Sequence, residues 1–215
     1  MNIELKNISL KFDSRVIAEK MCWTFSAGKF YLLKGPSGCG KSSLLRLISG
    51  LTDADGGSVQ VSQKLDILEQ RRSIHYLTQM PIMFPGTVEE NLLKPFSFAP
   101  YIDRAPAREE YENLLSELFP EGLDLNQNAE KLSQGQKQRV ALCRTLLIKP
   151  QVLLCDEPAA SLDTKSRQIV DQAIERFFKS SQDKMVIYVS HHEDIFVDGD
   201  CEEILMKEGK LELVS

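Results

Sequence analysis

No apolar run in this 215-residue chain approaches the roughly twenty residues that a membrane-spanning helix needs. The opening residues, Met1-Asn2-Ile3-Glu4, lack the basic-then-apolar order of a signal peptide. Cysteine is sparse and unpaired in pattern. Cys22, Cys39, Cys143, Cys155 and Cys201 are odd in number and form no CxxC, which predicts reduced thiols in mostly apolar settings and a fold without disulfides. Blocks of one charge sign are also missing. The net charge of -5 is interspersed, so the chain shows neither the basic stripe of a nucleic-acid binder nor the basic amphipathic face of a lipid binder. These absences predict a cytosolic protein that meets any membrane through a protein partner. The length suits one compact domain, or a core plus a small lobe.

What is present centres on Gly35-Pro36-Ser37-Gly38-Cys39-Gly40-Lys41-Ser42, a glycine, four open positions, then Gly-Lys-Ser. Lys29 to Lys34 before it reads as a strand, and Ser43 to Ile48 after it has helical spacing that stops at Gly50. A loop joining a strand to a helix N-terminus, with glycines at 35, 38 and 40, can point backbone N–H groups at phosphate oxygens. Lys41 would reach the outer phosphates of a triphosphate, and Ser42 would sit on a magnesium ion. Cys39 occupies an open position of the loop, where almost any side chain would serve, and could otherwise be a reactive thiol.

Upstream, Ile3, Leu5, Ile8, Leu10 and Phe12 alternate with polar residues, as do Met21, Trp23 and Phe25, predicting antiparallel strands flanking the nucleotide core. Phe12 either stacks on a purine or packs in the core. Ser58 to Val61 and Ile74 to Gln79 read as further strands. Gln79, at a strand's C-terminal end, either completes a magnesium shell or is a solvated terminus. From Pro81 to about Glu130, Pro81, Pro85, Pro95, Pro100, Pro106 and Pro120 break the chain, and helical spacing shows mainly over 108–119. This predicts a small inserted helical lobe, with Thr87 and Glu90 as a capping box. Phe84, Phe96, Phe98 and Tyr101 form either a partner surface or a local mini-core.

Leu132-Ser133-Gln134-Gly135-Gln136 precedes a helix expected over 137–148. Ser133 and the Gly135 amide either receive a second anion or simply cap the helix. Val152 to Asp156 and Glu157 read as a buried strand ending in paired carboxylates. Asp156 would hold magnesium through its water shell, and Glu157 would orient and polarise the attacking water. Asp163 is a predicted helix cap, with Ile169, Ala173, Ile174 and Phe177 as the buried stripe of its helix. Met185 to Ser190 reads as another buried strand, and His191 at its end is placed to bond the γ-phosphate. Glu203 to Val214 reads as a terminal hairpin with nothing appended.

In this order, along nearly the whole chain, these residues resemble the ATP-binding cassette ATPases, in particular the detached nucleotide-binding subunit of a transporter. Gly35 to Ser42 resembles the family's first nucleotide motif, Gln79 its glutamine loop and Leu132 to Gln136 its signature. Val152 to Glu157 resembles its second motif, Ser161 to Asp163 its dimer loop, and His191 its switch histidine. Phe12 falls where the family has an adenine-stacking aromatic. The signature usually has glycine where this chain has Gln134, and the dimer loop Ser-Ala where it has Ala160-Ser161.

The fold implied is α/β: a P-loop NTPase core with a mixed or parallel sheet, an antiparallel β flank and a small inserted helical subdomain. One domain would cover 1–215, with 1–80 and 137–215 as core and 81–136 as the helical subdomain ending in the signature. The resemblance further implies ATP and Mg2+, with Gly35, Pro36, Ser37, Gly38, Cys39, Gly40, Lys41, Ser42 and Ser43 around the phosphates. Ser42, Gln79 and Asp156 would serve the metal, and Glu157, His191 and Gln79 the chemistry. It also implies a head-to-tail homodimer in which Ser133, Gln134, Gly135, Gln136 and Asp163 of one copy complete the site of the other.

A polytopic membrane permease would be the second partner, at the cytoplasmic face of the inner membrane, and no nucleic acid is expected. The stretch 84–92 looks like exporter-type cassettes and like a small bacterial group proposed to export iron. The alternatives are an importer subunit, or a soluble cassette ATPase acting on nucleic acid or ribosomes.

Overall fold

The computed structural model describes residues 1–12, 15–63, 65–98, 101–160, 162–190 and 201–214. Ser161, His191 and the side chain of Phe12 lie outside the described residues.

The chain opens with β1 (Ile3–Phe12) and β2 (Arg15–Phe25), an antiparallel pair, followed by β3 (Phe30–Lys34) and α1 (Lys41–Ile48). β4 (Gly56–Val61) returns antiparallel to β1 and completes a three-stranded flank in the order β2-β1-β4. Then come α2 (Ile67–Ser73), β5 (Ile74–Leu77), α3 (Val88–Leu93), α4 (Arg108–Leu118) and α5 (Gln134–Leu147). The last elements are β6 (Val152–Asp156), α6 (Thr164–Lys179), β7 (Met185–Val189), β8 (Cys201–Lys207) and β9 (Lys210–Leu213).

The second sheet has the order β5-β6-β7-β3-β8-β9, parallel from β5 through β8, with β9 antiparallel at the edge. Strand periodicity of two explains its burial on both faces. Tyr31, Leu33, Leu154, Ile187 and Val189 face the flank and α1. Phe30, Leu32, Leu153, Cys155, Val186 and Tyr188 face the helices α3 to α6. This is the α/β core with an antiparallel flank that the sequence predicts.

Several local expectations change. α5 begins at Gln134 rather than Lys137, because Ser133 accepts from the Gln136 N–H and the Gln136 side chain accepts from the Ser133 N–H, so the capping box sets the start before the apolar stripe does. On α6 the buried stripe is Val170, Ala173, Ile174 and Phe177, an i, i+3, i+4, i+7 set that leaves Ile169 at its margin. α2 escaped the sequence reading; it is built on an Asp66–Glu69 capping box and buries no residue fully. Cys143 and Cys155 are buried, but Cys22 is exposed rather than apolar in setting. The Thr87–Glu90 box on α3 forms as expected. Of the aromatics, Phe96 is buried while Phe84 and Phe98 are exposed, so the segment contributes to both core and surface.

Two polar groups, the buried Arg139 and the partly buried His75, bear on this architecture. Arg139 on α5 donates to Leu118 O at 2.8 Å and to Glu121 Oε1 at 2.6 Å, with its guanidinium 4.3 Å above the Phe119 ring. Arg139→Ala removes all three and leaves the Leu118 carbonyl without that donor, a loss of about 2 to 4 kcal/mol. For a chain of this size that lowers Tm by roughly 5 to 15 °C, read by thermal melting.

His75 on β5 contacts the Tyr101 hydroxyl at 3.0 Å, and that hydroxyl donates to Arg71 O, so the His75 Nε2 carries the proton. Burial lowers the His75 pKa from 6.5 to about 4. An unfolded chain takes up a second ring proton near pH 6.5, whereas the fold resists it. The contribution is therefore complete above pH 6.5 and lost as pH falls toward 4. It amounts to about 2 kcal/mol after allowance for partial exposure. Urea titrations across that interval should show a shallower pH dependence for His75→Gln than for the native chain.

Candidate functional site

β3 delivers the chain into Gly35 at the C-terminal edge of the parallel sheet. Gly35, Gly38 and Gly40 have φ of 149°, 73° and 110°, all in the region that L side chains rarely adopt. A Cβ on Gly40 would stand 2.1 Å from Ile17 Cγ2, and one on Gly35 would stand 2.4 Å from Met206 O. Gly40 caps α1 without a side-chain hydrogen bond, and the first turn of α1 holds no acidic residue. The N–H groups there are left to an anion, with the helix dipole in support. Lys41 is buried, and its ammonium donates to Gly35 O at 2.7 Å and Pro36 O at 3.1 Å, which holds it across the loop.

The carboxylates arrive from β6. Asp156 shares the face of Val152 and Leu154 and so points at α1, where Ser42 Oγ donates to its Oδ1 at 3.0 Å. Tyr76 on β5 donates to its Oδ2 at 2.6 Å. Burial, then the bond to and charge of Asp156, push the Tyr76 pKa up to about 12, against the opposing influence of the Arg46 guanidinium. Glu157, one residue on, adopts φ 49° and sends its N–H to Val189 O at 3.1 Å. That turn aims its carboxylate away from the strand, and Gln79 Nε2 donates to Glu157 Oε2 at 3.2 Å.

A cavity of about 380 Å³ lies among these groups, lined by Ser37, Gly38, Gly40, Lys41, Ser42 and Ser43 with Glu157 at one side. Arg15, Ile17 and Arg46 also line it and were missed in the sequence. Arg46 stands four residues after Ser42 on one helix, a spacing that could have found it. Arg15 and Ile17 are brought in only by the pairing of β2 with β1, which leaves no mark at the loop itself. Pro36 and Cys39 line a separate cavity of about 480 Å³ toward β9, so the Cys39 thiol faces away from the phosphate-loop cavity.

The described residues lining the 380 Å³ cavity include none of the signature and not Asp163. Ser133 and Gln136 use their side chains to cap α5, and Gly135 packs so that a Cβ there would meet Leu162 Cδ2 at 3.1 Å. Asp163 is exposed and accepts from the Ser166 N–H and hydroxyl, which lower its pKa. β1 ends at Phe12, whose side chain lies outside the described residues.

The donor set suits a nucleotide with a hard divalent cation. The loop offers N–H groups and an ammonium, while Ser42 and Asp156 offer oxygens from two elements. Gly40→Ala forces both a left-handed alanine and a collision with Ile17. It should reduce binding of a fluorescent ATP analogue more than ten-fold, while circular dichroism stays native.

Three comparisons bear on these residues. The family model for the ABC transporter matches residues 18–160. An Fe(3+) ions import ATP-binding protein of Fusobacterium nucleatum is 32% identical over 99% of this chain, which spans 57% of that protein. A sulfate/thiosulfate import ATP-binding protein of Halalkalibacterium halodurans is 33% identical over 100% of this chain and 61% of its own length. A probable iron export ATP-binding protein of Escherichia coli is 31% identical over 89% of this chain and 85% of its own length. Among solved structures, a bacterial Atm1-family ABC exporter with ATP bound superposes with TM-score 0.83 at 24% identity, covering 98% of this chain and 38% of that one, which establishes the fold. On the matches in sequence, the chain belongs to the ABC transporter family.

Proposed function

We propose that this chain binds ATP with magnesium and hydrolyses it, energising a separate membrane subunit of a transporter. The observation that carries this is that Lys41, Ser42 and Glu157 line one cavity while Ser42 donates to the buried Asp156, 114 residues away in sequence. Ser42, Asp156 and Gln79 would hold magnesium, which neutralises charge on the phosphates. Lys41 leaves the loop carbonyls for the outer phosphates. Glu157, beside Gln79, takes a proton from the attacking water, and His191 bonds the γ-phosphate. Phe12 stacks on the adenine.

The signature supports a head-to-tail homodimer. Ser133, Gln134, Gly135 and Gln136 start an exposed helix end that does not line its own chain's cavity, and a second copy brings that end to it. Asp163 lies on the same surface. The membrane partner is supported by Met80, Ile82, Phe84, Phe98 and Ile102, large apolar side chains exposed next to Gln79 and along the inserted segment. No helix among the described residues is long and apolar enough to cross a membrane, so this reading places the chain at the cytoplasmic face through its partner. The cargo is a metal or another small solute. Export follows the likeness of 84–92 to exporter-type cassettes, and import is the second direction, favoured by relatives named for import.

Glu157→Gln should lower ATP turnover at least 100-fold, roughly the contribution of a general base, and retain ATP affinity. Size-exclusion chromatography with ATP and magnesium should then show an accumulated dimer. Unchanged turnover would refute the role of Glu157.

A further inference from the structure

Both carboxylate oxygens of Asp156 are engaged by hydroxyls from two different elements. Oδ1 accepts from Ser42 on α1, and Oδ2 accepts from Tyr76 on β5. Asp156 is 4% exposed, so water competes little for either oxygen. The two bonds have different tasks when a cation is held here. Ser42 would give the cation a lone pair while its proton stays on Oδ1. Tyr76 bonds only the carboxylate, at the other oxygen.

We infer that Tyr76 is a positioning residue for the metal: its hydroxyl clamps Asp156 Oδ2 so that Oδ1 stays aimed at Ser42 and at the cation held there. This rests on the reading of the site as one for a magnesium nucleotide. The torsion that turns a carboxylate about its last bond is broad, so packing alone leaves the plane of the group free to turn. A phenol fixed on a neighbouring strand holds that plane. Tyr76 pairs with Leu154, two residues before Asp156, so both side chains leave the sheet on the same face.

Among ligand-orienting groups of this kind, removal typically costs ten-fold or more in metal affinity.

The test is binding of adenylyl imidodiphosphate to the whole chain by calorimetry, at stepped magnesium concentrations and in EDTA. Tyr76→Phe should need roughly ten-fold more magnesium for half-saturation, with its affinity in EDTA unchanged. An unchanged magnesium requirement overturns the inference and leaves the nucleotide reading standing. A parallel fall of both affinities also overturns it, because that is what general loosening of the loop would give. A native chain that binds no nucleotide with magnesium overturns the nucleotide reading, and this inference with it. Should Tyr76→Phe fail to fold, Tyr76→Met fills the space without a hydroxyl and carries the same expectation.

Discussion

Everything at the site depends on the register of one strand. β7 pairs with β3 on one side and β6 on the other, and its Val189 is level with both Leu33 and Asp156. Parallel pairing puts the C-terminal ends of all three strands on one edge, the edge where open α/β sheets place ligands. Across β7 the two outer strands are about 10 Å apart, and the loop that leaves β3 must bridge that gap before α1 can settle. α1 does so by burying Leu44, Leu45 and Ile48 on the sheet face that Leu154 also shares. A slip of one residue in the β6–β7 pairing would turn Asp156 toward the helices α3 to α6. Ser42 would then have no carboxylate to meet.

That edge also concentrates unfavourable backbone. Gly35, Gly38 and Gly40 take positive φ at little cost, but Glu157 does so with a side chain, at a penalty on the order of 1 kcal/mol. The turn at Glu157 persists because its N–H is tied to Val189 and its carboxylate to Gln79. A relaxed backbone would continue the strand direction and send the carboxylate elsewhere. Lys41 meets a related difficulty, a buried ammonium, through the carbonyls of its own loop. The ammonium is thus satisfied by its own loop, and an anion has to draw it from those carbonyls.

The phosphate loop, the strand ending in Asp156 and Glu157, and the caps at Thr87, Ser133 and Asp163 were legible because each is local. A capping box is four residues long, and a buried parallel strand is a short apolar run. The helix start at Gln134 was misplaced by weighting the apolar stripe, which begins only at Val140, over the box before it. Tyr76, Arg15 and Ile17 were not legible. Their roles come from strand pairing with β6 and β1, and an alternating strand gives no sign of which neighbour it will have. Arg46 lay between these cases, visible as an i+4 neighbour of Ser42 once the helix was granted.

α5 is the element through which distant parts of the molecule are joined. Its first turn carries Ser133 and Gln136 in their reciprocal cap, and its second sends Gln138 Nε2 to Thr78 O, next to Gln79, at 3.2 Å. Arg139 holds the end of α4, and Arg144 donates to Ile82 O at 3.0 Å, beneath the exposed apolar residues of 80–84. Helices transmit displacement along their axes because each turn is bonded to the next. Hydrogen bonds from this one helix thus tie the 80–84 segment and the backbone of Thr78 to the element that starts at the Ser133 cap. The carboxylate of Glu157 joins the same set through Gln79, the residue next to Thr78. A helix bonded turn to turn meets all of these groups along a single axis, where separate loops would hold each independently.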